Sequence, residues 1–101
     1  MKLRFTPTAR SQFLEVVAFI RQDKPSAAHR FRDRAEKALR RLEEFPESGR
    51  VIPEFPDLPH REVIIGSYRF LYRVERRTVW VVAVWHGARR ADPPGSGPPT
   101  S

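Results

Sequence analysis

Apolar residues recur along this chain in two periods, and the switch between them divides it. "KLRF" at 2–5 alternates, with Leu3 and Phe5 on one side, and reads as a strand. Ala9, Phe13, Val16, Val17 and Ile20 then fall at helical spacing and make one apolar face reaching to about Arg21. Thr6 is placed to cap that helix, and Pro7 suits its first position, where a missing N–H costs nothing. "QDKP" ends it, because the residue before a proline resists helical geometry. Pro25 opens a second helix with Ala28, Phe31, Ala35, Ala38, Leu39 and Leu42 as its stripe. Arg30, Arg34, Lys37 and Arg41 line its other side, a row that reads first as a solvated face and second as a contact for an acidic partner or RNA. "FPESGR" at 45–50 stops the helix.

"VIPEFPDLPH" at 51–60 holds three prolines and reads as a loop. The period of two then returns. Strands are predicted over 61–65, 68–75 and 78–85, joined by tight turns at "GS" and "RR". Alternation puts Val79, Val81, Ala83 and Trp85 on one side of the last strand and Trp80, Val82 and Val84 on the other. A strand apolar on both faces belongs inside a sheet. The expected fold is α+β: an N-terminal strand, a two-helix hairpin, then a three-stranded antiparallel meander. The sheet is mainly antiparallel, with both helices on one face. Its other face is expected to be open, concave and basic, suited to RNA or a partner peptide. The domain spans 1–90, and "ADPPGSGPPTS" at 91–101 reads as a disordered Pro/Gly/Ser-rich tail.

Composition adds a sign to that open face. Lys2, Lys24 and Lys37 are the three lysines among 19 basic residues, the rest are arginine, and the net charge is +7. Arginine forks onto phosphate and carboxylate and stacks on bases, so an anionic partner is expected. Arginine-rich coding explains part of the preference for arginine over lysine, but not the excess of positive charge. The 101 residues suffice for one domain, and the absence of cysteine excludes disulfides and thiolate metal sites. No apolar run approaches the roughly 20 residues that cross a bilayer. With no hydrophobic signal core at the start, a cytoplasmic protein is expected. His29, His60 and His86 lie in different elements without ligand spacing, and no glycine-rich phosphate loop is present, so no metal or cofactor is expected.

Three stretches carry a family resemblance: "TARSQFLEVVAFI" in the first helix, "FPESGRVIPEF" after the second, and above all "REVIIGSYRFLYRVERRTVWVVAVWHGARR". Over about residues 2–90 the chain resembles the RelE/ParE superfamily of toxins of bacterial type II toxin–antitoxin systems. The resemblance implies a growth-inhibiting toxin, of the kind linked to plasmid stabilisation, held silent by a cognate antitoxin. RelE-like members cut mRNA on the ribosome; ParE-like members inhibit DNA gyrase and are not nucleases. The first activity is the expectation here and the second the alternative.

RNA cleavage through the substrate's 2′-OH needs a base, cations for the charged phosphorane and a proton donor for the leaving oxygen. Arg69 in "SYRFLY" is the candidate for phosphate stabilisation; its position resembles that of a catalytic arginine in RelE-like nucleases, and otherwise it is a solvated strand residue. His86, in "VWHGARR", is the candidate acid–base group, since an ordinary pKa of about 6.5 serves both directions; otherwise it merely ends a strand. Glu54 in "IPEF" is the candidate general base, or an exposed loop carboxylate. Arg61, Arg73, Arg89 and Arg90 are the candidate RNA and phosphate contacts. Trp85 and Tyr68 could stack a base, though core packing is the more ordinary role for each. The chain departs from the nuclease pattern in two places: Gly87 follows His86, and none of the three lysines lies in the loop before 61–65.

Overall fold

A computed structural model describes residues 1–87. β1 (Lys2–Phe5) leads into α1 (Pro7–Asp23), where the Thr6 hydroxyl accepts from the Ala9 N–H at 3.2 Å and Pro7 sits in the first turn. α2 (Pro25–Glu44) follows after the single residue Lys24. α1 thus ends where the expected break lies, at the Lys24–Pro25 step. β2 (Arg50–Val51) is a two-residue strand inside what the prolines mark as loop. β3 (Arg61–Ile65), β4 (Tyr68–Glu75) and β5 (Thr78–His86) form the expected meander.

The strand order is β1-β5-β4-β3-β2. β1 runs parallel to β5, and every other pair is antiparallel. Both helices cover one face. Phe13 of α1 is the hub of the core, its ring 5.6 to 6.0 Å from those of Phe5, Phe31 and Phe70. Around it pack Val17, Leu39, Leu42, Ile65, Tyr72, Val79 and Val81.

Two expectations about the sheet are corrected. The alternation of β5 breaks, because Leu71 pairs with Ala83 while Tyr72 pairs with Val81, which leaves Val82 as the extra residue of a β-bulge. Val79 and Val81 therefore face the helices with Val84, whereas Ala83 and Trp85 lie on the opposite face. Nor is that opposite face simply open. Ile52 and Phe55 from the proline-rich segment fold over Leu71, Ala83 and Trp85 and close a second, smaller core there. The expected tail at 91–101 lies outside the described residues.

Both hairpin turns need left-handed backbone. Gly66 supplies it at φ +61 in the β3–β4 turn, but the β4–β5 turn places Arg76 at φ 49 and Arg77 at φ 63, a region where side chains other than glycine, asparagine and aspartate are strained.

Candidate functional site

The chemistry-bearing side chains gather where the proline-rich segment meets the sheet. The two-residue turn at Gly66 and Ser67 sets the β3–β4 register, pairing Ile64 with Arg69 and Glu62 with Leu71. Glu62 and Arg69 thus become diagonal neighbours on the face away from the helices. Arg69 is only 4 % exposed. Its Nε donates to Glu62 Oε1 at 2.7 Å. Its Nη1 and Nη2 donate to the two carboxylate oxygens of Glu54 at 2.7 and 2.8 Å, a bidentate fork. Glu62, with a side-chain exposure of 0 %, accepts on its other oxygen from Arg50 Nε at 2.6 Å.

The result is a chain of alternating charge, Arg50–Glu62–Arg69–Glu54, with its inner pair buried. The bond to Glu54 does most to push the Arg69 pKa still higher than its already high ordinary value; burial opposes this, and Glu62 reinforces it. Every nitrogen of the guanidinium therefore faces a carboxylate oxygen, and a phosphate could reach Arg69 only by displacing one. The cluster also pins the segment carrying Ile52, Glu54 and Phe55 onto the sheet.

Tyr72 anchors the other end of that segment. Its hydroxyl donates to Pro46 O at 2.7 Å and accepts from Gly49 N–H at 2.9 Å. Burial raises its pKa, keeping the phenol a neutral donor. A Cβ at Gly49 would meet the Tyr72 ring at 2.5–2.6 Å and Glu62 O at 2.8 Å, so only glycine fits.

His86 lies elsewhere. It pairs with Tyr68, whose ring it meets edge-on at 5.3 Å, and Tyr68 packs into the helix-side core. Arg69 is the next residue along β4 and points to the opposite face. The structure therefore brings Arg69 and Glu54 together but separates both from His86 by the thickness of the sheet. His86 instead lines an open cavity of about 680 Å³ with Ser11, Gln12, Glu15, Phe19 and Tyr68. Gln12 holds that cavity's floor, its Oε1 accepting from Val84 N–H at 2.8 Å on the length of β5 that runs past the end of β1.

Of the candidate phosphate contacts, Arg61 donates from Nη1 to Gly49 O at 3.0 Å and Arg73 pairs with Glu75 at 3.1 Å. Arg89 and Arg90 lie outside the described residues. Trp85 is buried in the smaller core, and Tyr68 packs at 5.5 Å on Phe31. Among the described residues, no group of three or more His, Cys, Asp or Glu converges as a metal site.

Sequence reasoning missed Glu62, the residue that organises the cluster. The signal was present: a two-residue turn at 66–67 fixes the hairpin register and places a carboxylate at 62 diagonal to the guanidinium at 69.

Residues 3–91 match the family described as ParE toxin of type II toxin-antitoxin system, parDE. The architecture is similar to a solved chain from the chromosomal ParDE toxin–antitoxin system of P. aeruginosa, with a TM-score of 0.68 at 13% identity. That likeness covers 85% of this chain and 95% of the other. At such an identity it speaks for the fold alone. No curated protein matches the sequence.

Proposed function

Since the chain belongs to the ParE toxin family of type II toxin–antitoxin systems, we propose that it arrests growth by binding DNA gyrase rather than by cutting RNA, and that a cognate antitoxin holds it silent. The observation that carries this reading is the separation of His86 from Arg69. Acid–base catalysis on a phosphate needs the base and the cation within hydrogen-bond reach of the same group. Here they sit on opposite faces of the sheet, and Arg69 is saturated by Glu54 and Glu62.

Antitoxin binding follows from the family and from α1, which exposes Leu14 and leaves Phe19 68 % exposed beside the cavity. Large apolar side chains left out on a helix face mark a surface that a partner covers. No described helix is long and apolar enough to cross a membrane.

The test is a supercoiling assay with purified gyrase, titrated with the full chain and with its His86→Ala variant. Both are expected to inhibit, and addition of the antitoxin is expected to restore supercoiling. Full gyrase activity at a large excess of folded toxin overturns the proposal. A second reading, ribosome-dependent mRNA cleavage, draws on the exposure of His86 at the cavity rim, with Arg89 and Arg90 following in sequence. It requires His86→Ala to abolish toxicity, which the gyrase reading does not.

A further inference from the structure

The sheet face away from the helices carries a second feature, beyond the cover of Ile52 and Phe55. In the register of the sheet Arg4 pairs with Trp80, and Trp80 pairs with Arg73. Their chain neighbours Leu3, Phe5, Val79, Val81 and Tyr72 all pack into the helix-side core, so Arg4, Trp80 and Arg73 project together from the other face. They form one straight row across β1, β5 and β4: a cation, an indole and a cation. With strands about 4.8 Å apart, the two arginines start roughly 10 Å from each other with the ring between them. His60 extends the row. It precedes Arg61, the partner of Tyr72, so it lies alongside Arg73. Its Nδ1 is buried with no hydrogen-bond partner, and burial first and the Arg73 charge second lower its pKa.

The row is accessible. Arg4 is exposed, and Trp80 and Arg73 are half-buried. Among the described residues Arg4 meets no carboxylate, and Arg73 has only the partly exposed Glu75 at 3.1 Å. An indole with an arginine on each neighbouring strand of an open sheet face suits a ligand that alternates flat rings with negative charge. Single-stranded nucleic acid has that chemistry: every base has a face to stack, and every linkage carries a charge for arginine. A duplex keeps its bases stacked inside and cannot offer one to Trp80. An acidic peptide would use the arginines but leave the indole without a ring.

We infer that the Arg4–Trp80–Arg73 row is a binding site for single-stranded nucleic acid, one base stacking on Trp80 and the flanking phosphates held by Arg4 and Arg73. The site is distinct from the Arg69 cluster and from the His86 cavity, and it does not depend on the gyrase reading.

The test uses the full chain with fluorescein-labelled 12-mers of oligothymidylate and oligouridylate, read by anisotropy over a salt series and by indole quenching. The wild type is expected to bind with Trp fluorescence quenched. Trp80→Leu is expected to weaken binding about fivefold or more, and Trp80→Phe to keep most of it. The double variant Arg4→Gln/Arg73→Gln is expected to flatten the salt slope by about 1.4, at about 0.7 per phosphate contact on a single strand. Circular dichroism verifies the fold of each variant, and should Trp80→Leu fail to fold, Trp80→Phe and the arginine pair still decide. Binding of either strand supports the site, and their ratio says whether it takes DNA or RNA. Three results overturn it: no binding to either strand, an equal loss in the α2 control Arg30→Gln/Arg34→Gln, or competition by a polyglutamate peptide as strong as by unlabelled oligonucleotide.

Discussion

Replacing Arg69 should cost this protein a large part of its stability. Arg69→Met removes a guanidinium that holds two carboxylates. One of them, Glu54, keeps 32 % of its side chain exposed, so losing its partner costs about 0–1 kcal/mol. The other, Glu62, has no exposure and keeps only Arg50, whose own side chain is 60 % exposed. Leaving a buried charge with half its partners costs about 3–5 kcal/mol. Against a total of about 5–15 kcal/mol for a domain of this kind, that is a large share. At about 4 °C or more per kcal/mol, it lowers Tm by at least about 12 °C. The double variant Glu62→Leu/Arg69→Met removes the stranded charge with its partner, leaves only exposed ends behind, and is expected to recover most of the loss. Urea and thermal unfolding of the full chain, followed by circular dichroism, measure both variants. A single variant within about 0.5 kcal/mol of wild type, or a double variant no better than the single, refutes the assignment of the cluster to stability. The same result matters in cells, where loss of toxicity in an Arg69 variant is expected to track loss of folded protein.

Three further outcomes are expected. Tyr72→Phe leaves the buried Gly49 N–H and Pro46 carbonyl without their partner and should cost about 1–3 kcal/mol in urea unfolding. Changing Arg76 and Arg77 to Asn and Gly relieves two left-handed residues and should stabilise by about 1–2 kcal/mol, read as a raised urea midpoint with an unchanged slope. His60 has a lowered pKa in the folded chain, so below about pH 6.5 the unfolded chain takes up a proton first. Its contribution is complete above that pH and shrinks as pH falls toward the folded value; His60→Leu should flatten this part of the stability profile, and an unchanged slope contradicts it.

The fold was legible because its signals are local. Thr6 and Pro7 mark a helix start, Lys24–Pro25 a break, and period-two runs around "GS" and "RR" a meander. β2 was hidden because two residues carry no period, and its pairing with β3 is made by the sheet edge rather than by propensity. The bulge at Val82 was hidden because an extra residue in an unbroken apolar run leaves no trace in composition, yet it decides which core receives Ala83 and Trp85. The site residues show the same limit. Arg69, His86 and Glu54 were visible as residue types, but their grouping depends on strand faces. Adjacent pairs in a hairpin, Tyr68 with His86 and Arg69 with Trp85, point to opposite sides. Only that alternation, joined to the carboxylate at 62, turns Arg69 from a phosphate candidate into the centre of a buried ion cluster.

The most direct measurement of the central claim is 5′-end mapping of mRNA within minutes of inducing the toxin in a bacterial host, with the DNA-damage response followed in parallel. Growth arrest with a damage response, no new ends on translated messages, and undiminished arrest in His86→Ala are expected. New ends on translated messages that vanish in His86→Ala contradict the claim and place cleavage at the His86 face.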